Sequence, residues 1–264
     1  MNDDAITCNK GFRLTKYRCG SLQELWSISW PLMLATFSGT IMTFIDRAVL
    51  ARYQSAAFDA CSAAQPWYWT LEGILMSFVV CTEILIGRFN GASLHKKIGP
   101  AVWQMVAISL LSLLIIIPIA CNARFLLADN IEALGAPYLR LLLLTLPFEI
   151  AAFGAIGAFF VGRGDTKEIP LVLFTTSCIN CICDIWFVLG GLGLPSLGII
   201  GAALATNVSQ ITSFLIFIIL FLRKKYREKY AINKFCWSWD LLKQCIRIGM
   251  PNAISYGIIC GGWC

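Results

Sequence analysis

TTSCINCICDIWFVLGG, residues 175–191, is an apolar stretch with a carboxamide, Asn180, and a carboxylate, Asp184, set four residues apart inside it. Residues at i and i+4 share one face of a helix, so the two side chains project together. An acid at the centre of a membrane helix costs about 2.5–3.5 kcal/mol on the modest scales, and such residues mark functional sites by default. The chemistry open to this pair is to bind a cation or to pass a proton. The plain alternative is a polar pair that hydrogen-bonds one helix to another.

Composition places that stretch in a bilayer. The chain of 264 residues is 58% hydrophobic and 14% charged, with a mean hydropathy of +0.73. Soluble domains carry about 25% charge. Apolar runs of about 20 residues, the length that crosses a bilayer, recur along the whole sequence. Seven spans are expected, with limits near Ser27–Leu50, Gln65–Arg88, Gly99–Cys121, Ala136–Val161, Ile169–Leu192, Leu197–Leu222 and Ile246–Cys264. The fold class is therefore all-α, a polytopic membrane protein with a six-helix lobe and the beginning of a seventh helix. The expected divisions are a tail over 1–20, the lobe over 21–222, a linker over 223–245 and the seventh span over 246–264. The first span is too long for a signal-peptide core.

Basic residues give the orientation. Lys10, Arg13, Lys16 and Arg18 lie in the tail. Arg88, Lys96 and Lys97 follow the second span, and Arg163 and Lys167 follow the fourth. Arg223, Lys224, Lys225, Arg227, Lys229 and Lys234 follow the sixth. Short loops rich in Lys and Arg stay cytoplasmic, which puts the N-terminus inside, in a bacterial inner membrane. The net charge of +6 is this asymmetry. Spread over alternate helix ends, it does not suggest nucleic-acid binding.

Several patterns carry no chemistry. Most of the twelve cysteines lie in apolar spans, where Cys acts as a small hydrophobe. Cys178, Cys181 and Cys183 diverge around a helix and make no metal site. His95 sits in a basic loop and is expected to be solvated. Asn207-Val208-Ser209 matches a glycosylation sequon but lies within a span. No nucleophile–base pair appears, so an enzyme is not expected.

The first span opens LWSISWPLMLATFSGT (25–40) and the last opens CIRIGMPNAISYGII (245–259), each with Pro a few residues in. Six spans separate the two starts, as in a parallel repeat about an axis along the membrane normal. GRGDTKEIP (162–170), NCICDIWFVLGGLGLPSLGIIGAALAT (180–206) and IMTFIDRAVLARY (41–53) complete a pattern. Together they resemble the multidrug and toxic compound extrusion (MATE) family over essentially the whole chain.

The resemblance implies two six-helix lobes around a V-shaped cavity. It implies a secondary antiporter that exports amphipathic or cationic compounds against inward Na⁺ or H⁺, with no cofactor beyond the coupling ion. The family's cation ligands fall here on Asp46, Asn180, Asp184 and Thr206. At 1.5 Å per residue Asp46 lies about 6 Å, Asp184 about 12 Å and Thr206 about 14 Å from the outer ends of their spans. Hard oxygen ligands suit Na⁺, and protonation is the competing way to neutralise the acids. Arg47 stands where the family has a small polar residue; it either snorkels outward or pairs with Asp46. Glu72 and Glu149 are extra deep acids and candidates for the substrate cavity.

The sequence ends inside the seventh span, where a member of that family would continue through five more helices. The expectation is a truncated or split transporter, with a second chain as a possible source of the other lobe. Alone, it is expected to export nothing and to leave its seventh span without a partner. A flippase of lipid-linked substrates from the same superfamily, or a non-transporting membrane fragment, are the alternatives.

Overall fold

The computed structural model describes residues 21–128, 131–191, 195–233, 235 and 237–261. The expected tail over 1–20 lies outside them. Among the described residues there are seven long helices and no strand: α1 Leu22–Tyr53, α2 Ser55–Gly91, α3 His95–Cys121, α4 Glu132–Val161, α5 Glu168–Leu189, α6 Gly198–Phe221 and α7 Trp239–Gly261. By length and composition α2 to α6 can each cross a membrane. α1, at 32 residues, is about 48 Å long at 1.5 Å per residue, longer than a hydrocarbon core of about 30 Å.

The long first connection expected from hydropathy does not exist. α2 starts at Ser55, one residue after the Gln54 break that ends α1. Arg52 and Asp59 lower the hydropathy of this stretch, yet Ala57, Ala60, Cys61, Ala64 and Tyr68 recur at helical spacing and are all buried. Their small side chains let helices approach closely, which is how spans associate where lipid offers no hydrophobic drive.

α4 is the central helix. Within its apolar window 72% is buried, against 28–44% for the other four spans, so the others present one face outward. Pro147 interrupts its hydrogen-bond ladder, and Ile150–Gly157 winds as a wider π-helix just after it. Gly154 lies so close to α2 that an added Cβ would stand 3.0 Å from Met76 and Val79.

α5 and α6 form a tight hairpin. Gly190, with φ of 81°, stops α5 in the left-handed region that favours glycine. The Leu197 amide donates to Phe187 O at 2.9 Å and Trp186 Nε1 donates to Gly191 O at 2.9 Å. At Gly201 an added Cβ would lie 2.5 Å from Phe187 O, so the two backbones touch. That contact sets the end of α5 against the start of α6.

Two expectations need correction. The seventh span has a partner: α7 runs along α2, with Gly249 against Phe78, Gly257 against Ile74 and Gly73 against the Tyr256 ring. The connection before it is held against α3. The Gly99 amide donates to Tyr230 O at 3.0 Å and Trp103 Nε1 to Ile232 O at 2.7 Å. Gln104 makes two bonds to the Ser238 backbone, at 3.0 and 3.2 Å. α7 starts at Trp239, ahead of the expected Ile246. His95, expected to be solvated, is half-buried edge-on to Tyr230 with ring centroids 5.7 Å apart.

Candidate functional site

A cavity of about 740 Å³ opens between α1, α2, α4, α5 and α6. Two polar groups stand at it; of the first, Asp46 and Thr206 line the cavity while Asn180 and Asp184 are buried beside them. The first gathers three helices at one point. Asn180 and Asp184 of α5 are fully buried, and Asp46 of α1 is half-buried beside them. With its amide nitrogen facing the carboxylates, Asn180 Nδ2 donates to Asp46 Oδ1 at 2.9 Å and to Asp184 Oδ2 at 3.0 Å. This orientation is assigned from the hydrogen-bond network, since it alone satisfies both ends of the amide. The two carboxyl groups thus flank a single amide nitrogen.

Thr206 joins by an unexpected route. Its backbone amide donates to Asn180 Oδ1 at 3.3 Å, while its hydroxyl donates to Ala202 O one turn back at 3.1 Å. The hydroxyl oxygen keeps lone pairs free to act as a ligand. Asp184 Oδ1 is buried with no hydrogen-bond partner among the described residues. Two carboxylates on one amide, one of them fully buried, favour a cation or a proton between them. An oxygen-only donor set, with one lone carboxylate oxygen unspent, fits a hard monovalent cation. Among the described residues no three His, Cys, Asp or Glu side chains cluster as a metal site.

Arg47 does not pair with Asp46. Its Nη1 donates to Ser62 Oγ at 2.6 Å and its guanidinium lies 5.9 Å from the Phe58 ring centre. The side chain is drawn toward α2, away from the acid it follows in sequence.

The second group lies across the cavity. Glu149, the last residue of α4 before the π-helix, accepts from the Tyr68 hydroxyl at 2.5 Å and from Gln210 Nε2 at 2.7 Å. Gln210 Nε2 also donates to the Tyr68 oxygen at 2.7 Å. The Thr145 hydroxyl stands between Gln210 Oε1 at 2.5 Å and Asn207 Oδ1 at 2.7 Å, and can donate to one at a time. Asn207 Nδ2 is held by Leu141 O at 3.1 Å. Glu72 lines the same cavity. Tyr68, Thr145, Asn207 and Gln210 escape the sequence reading. The available signal was two carboxamides three residues apart on an apolar helix, the same kind that exposed Asn180.

Residues 31–186 match the family model described as MatE. Over 241 residues the chain is 24% identical to the probable multidrug resistance protein NorM of Thermotoga maritima, a match covering 88% of this chain and 51% of that protein. It is 25% identical over 238 residues to the probable multidrug resistance protein YoeA of Bacillus subtilis, covering 85% and 50%. A solved outward-facing multidrug resistance MATE family transporter of the MOP superfamily superposes with a TM-score of 0.75 at 23% identity, over 87% of this chain and 51% of that one. The chain spans about half the length of the curated relatives it matches.

Proposed function

The chain belongs to the MatE family, and from that premise we propose that it is the cation-binding lobe of a secondary antiporter that exports drugs or organic cations in exchange for Na⁺ or H⁺. The observation that supports this most is the Asp46–Asn180–Asp184 cluster, drawn from two helices, with Asp46 lining the cavity and Asn180 and Asp184 buried beside it. A cation or proton there neutralises acids that otherwise repel. Its arrival or departure changes the energy of holding α1 against α5, which couples ion occupancy to helix arrangement. Thr206 contributes a further oxygen from α6. Glu72 and Glu149 are the acids that attract a cationic substrate into the same cavity.

The charged lining favours this reading over a lipid-linked-substrate flippase, since the carboxylates of Asp46, Glu72 and Glu149 face Arg47 alone among cations. A second helical body, in the same polypeptide or another, completes the far wall of the cavity, because rocking of one repeat against another needs both. On this reading the N-terminus is cytoplasmic, as the basic residues at alternate helix ends argue.

The test is ethidium efflux from an efflux-deficient bacterial host producing the transporter. Efflux that depends on a Na⁺ or H⁺ gradient and disappears in Asp184→Asn at equal membrane abundance is expected. Undiminished efflux by that variant would sink the assignment.

A further inference from the structure

Away from the membrane cavity, at the end of the bundle rich in Lys and Arg, lies a second pocket of about 420 Å³. It is formed where α2, α4 and α6 end and α3 begins. We propose that this pocket binds one phosphate-bearing anion, with the headgroup of an anionic membrane lipid as its source. The proposal rests on α2 to α6 spanning the membrane and not on the transport reading.

Arg163 builds the walls and is not itself free to bind. Its side chain is 6% exposed and pairs with Asp165 at 3.2 Å. Its guanidinium lies 4.1 Å from the Phe159 ring centre, 4.4 Å from Tyr226 and 5.0 Å from Tyr230. One buried cation thus braces the two tyrosines that follow α6 against the end of α4. Lys225 and Lys229, both exposed, extend over those tyrosine rings at 5.4 and 5.3 Å. Neither forms an ion pair among the described residues. Asp165 is the only carboxylate in the lining and is already engaged by Arg163. The unspent charge is therefore positive.

The opposite wall supplies neutral donors. Asn90, Ser93 and His95 line it. His95 Nδ1 is buried with no hydrogen-bond partner among the described residues, and an orphaned buried polar atom calls for an explanation. Ser93, at φ 59°, and Ala231, at φ 51°, are the non-glycine residues in the left-handed region among those described. One lines this pocket and the other directly follows Tyr230. Backbone strain of about 1–3 kcal/mol per residue clusters at ligand clamps. Ammonium point charges on one side and hydroxyl, amide and imidazole donors on the other suit a tetrahedral oxyanion. The pocket sits where the apolar spans stop, and basic pockets between helix ends take anionic headgroups.

The purified chain, delipidated in mild detergent, is titrated with phosphatidylglycerol, with phosphatidylcholine and with inorganic phosphate, and bound lipid is counted by native mass spectrometry. One phosphatidylglycerol is expected to bind in preference to phosphatidylcholine. The double variant Lys225→Gln/Lys229→Gln should weaken it by about thirtyfold, from the contribution of two lysines at a membrane surface. Lys225→Arg/Lys229→Arg should bind within a few-fold of the parent. Both lysines are exposed, and unchanged helicity and elution volume confirm that the variants fold. Phosphate that displaces the lipid, with an affinity lost in the Gln variant, supports the pocket and moves its source to a soluble phosphate. Phosphatidylglycerol binding unaltered by the Gln variant, or equal retention of the two lipids with no phosphate response, would overturn the proposal. Because ethidium efflux is read separately, either proposal can fail without the other.

Discussion

Replacing Asp184 by Asn removes one negative charge and keeps the shape of a side chain that is 0% exposed. A cation shared by Asp46 and Asp184 then loses one of its two carboxylates. At about 4 Å and an effective dielectric of about 20, one such charge pair is worth about 4 kcal/mol. That is roughly a thousandfold in affinity. At a Na⁺ concentration about 100 times the dissociation constant, binding stabilises the native state by about 2.7 kcal/mol. For a chain of this size that raises the melting temperature by about 5–10 °C. In the variant the same Na⁺ sits about tenfold below its dissociation constant, and the stabilisation falls below about 0.1 kcal/mol. The assay is thermal unfolding of the purified protein in detergent, NaCl against choline chloride at equal ionic strength, repeated across pH. If protons serve instead of Na⁺, the stabilisation follows acid pH and again vanishes in the variant. A cation-dependent shift of equal size in parent and Asp184→Asn would refute the reasoning, because it would place the ion elsewhere.

Arg47→Ala should tighten cation binding by roughly fivefold, the effect of deleting one partly solvated like charge worth about 1 kcal/mol; unchanged or weaker binding in the same melting assay would show that the Ser62 contact, and not charge, governs this position. Tyr68→Phe removes a donor to Glu149 and an acceptor for Gln210, and should lower stability by about 1–3 kcal/mol in unfolding titrations. Lys96→Cys on a Cys-depleted background should react with impermeant thiol reagents only from the cytoplasmic side, since the site is exposed on the basic end; labelling from outside intact cells would invert the topology.

The sequence by itself determined the all-α membrane class, because hydropathy is a local property that a window of about 20 residues reports directly. It also picked out Asn180 and Asp184, since a charged residue within an apolar helix stands out without any neighbour to explain it. Asp46 and Thr206 came only through the resemblance to a family. What hydropathy hid was decided by packing. The Ala and Cys positions from Ala57 to Ala64 score as a loop, yet their small size is what lets α2 start at once and bury against its neighbours. The glycines that seat α7 on α2 carry no hydropathy signal either. Only the tertiary structure turned Arg47 toward Ser62, brought Thr206 in by its backbone amide, and assembled Glu149 with Tyr68 and Gln210 from three helices. Those contacts join residues up to 142 positions apart. Which of several polar groups meet inside a bundle depends on where backbones can approach, and that is fixed by the interlocking of whole helix faces, not by the order of residues along any one of them.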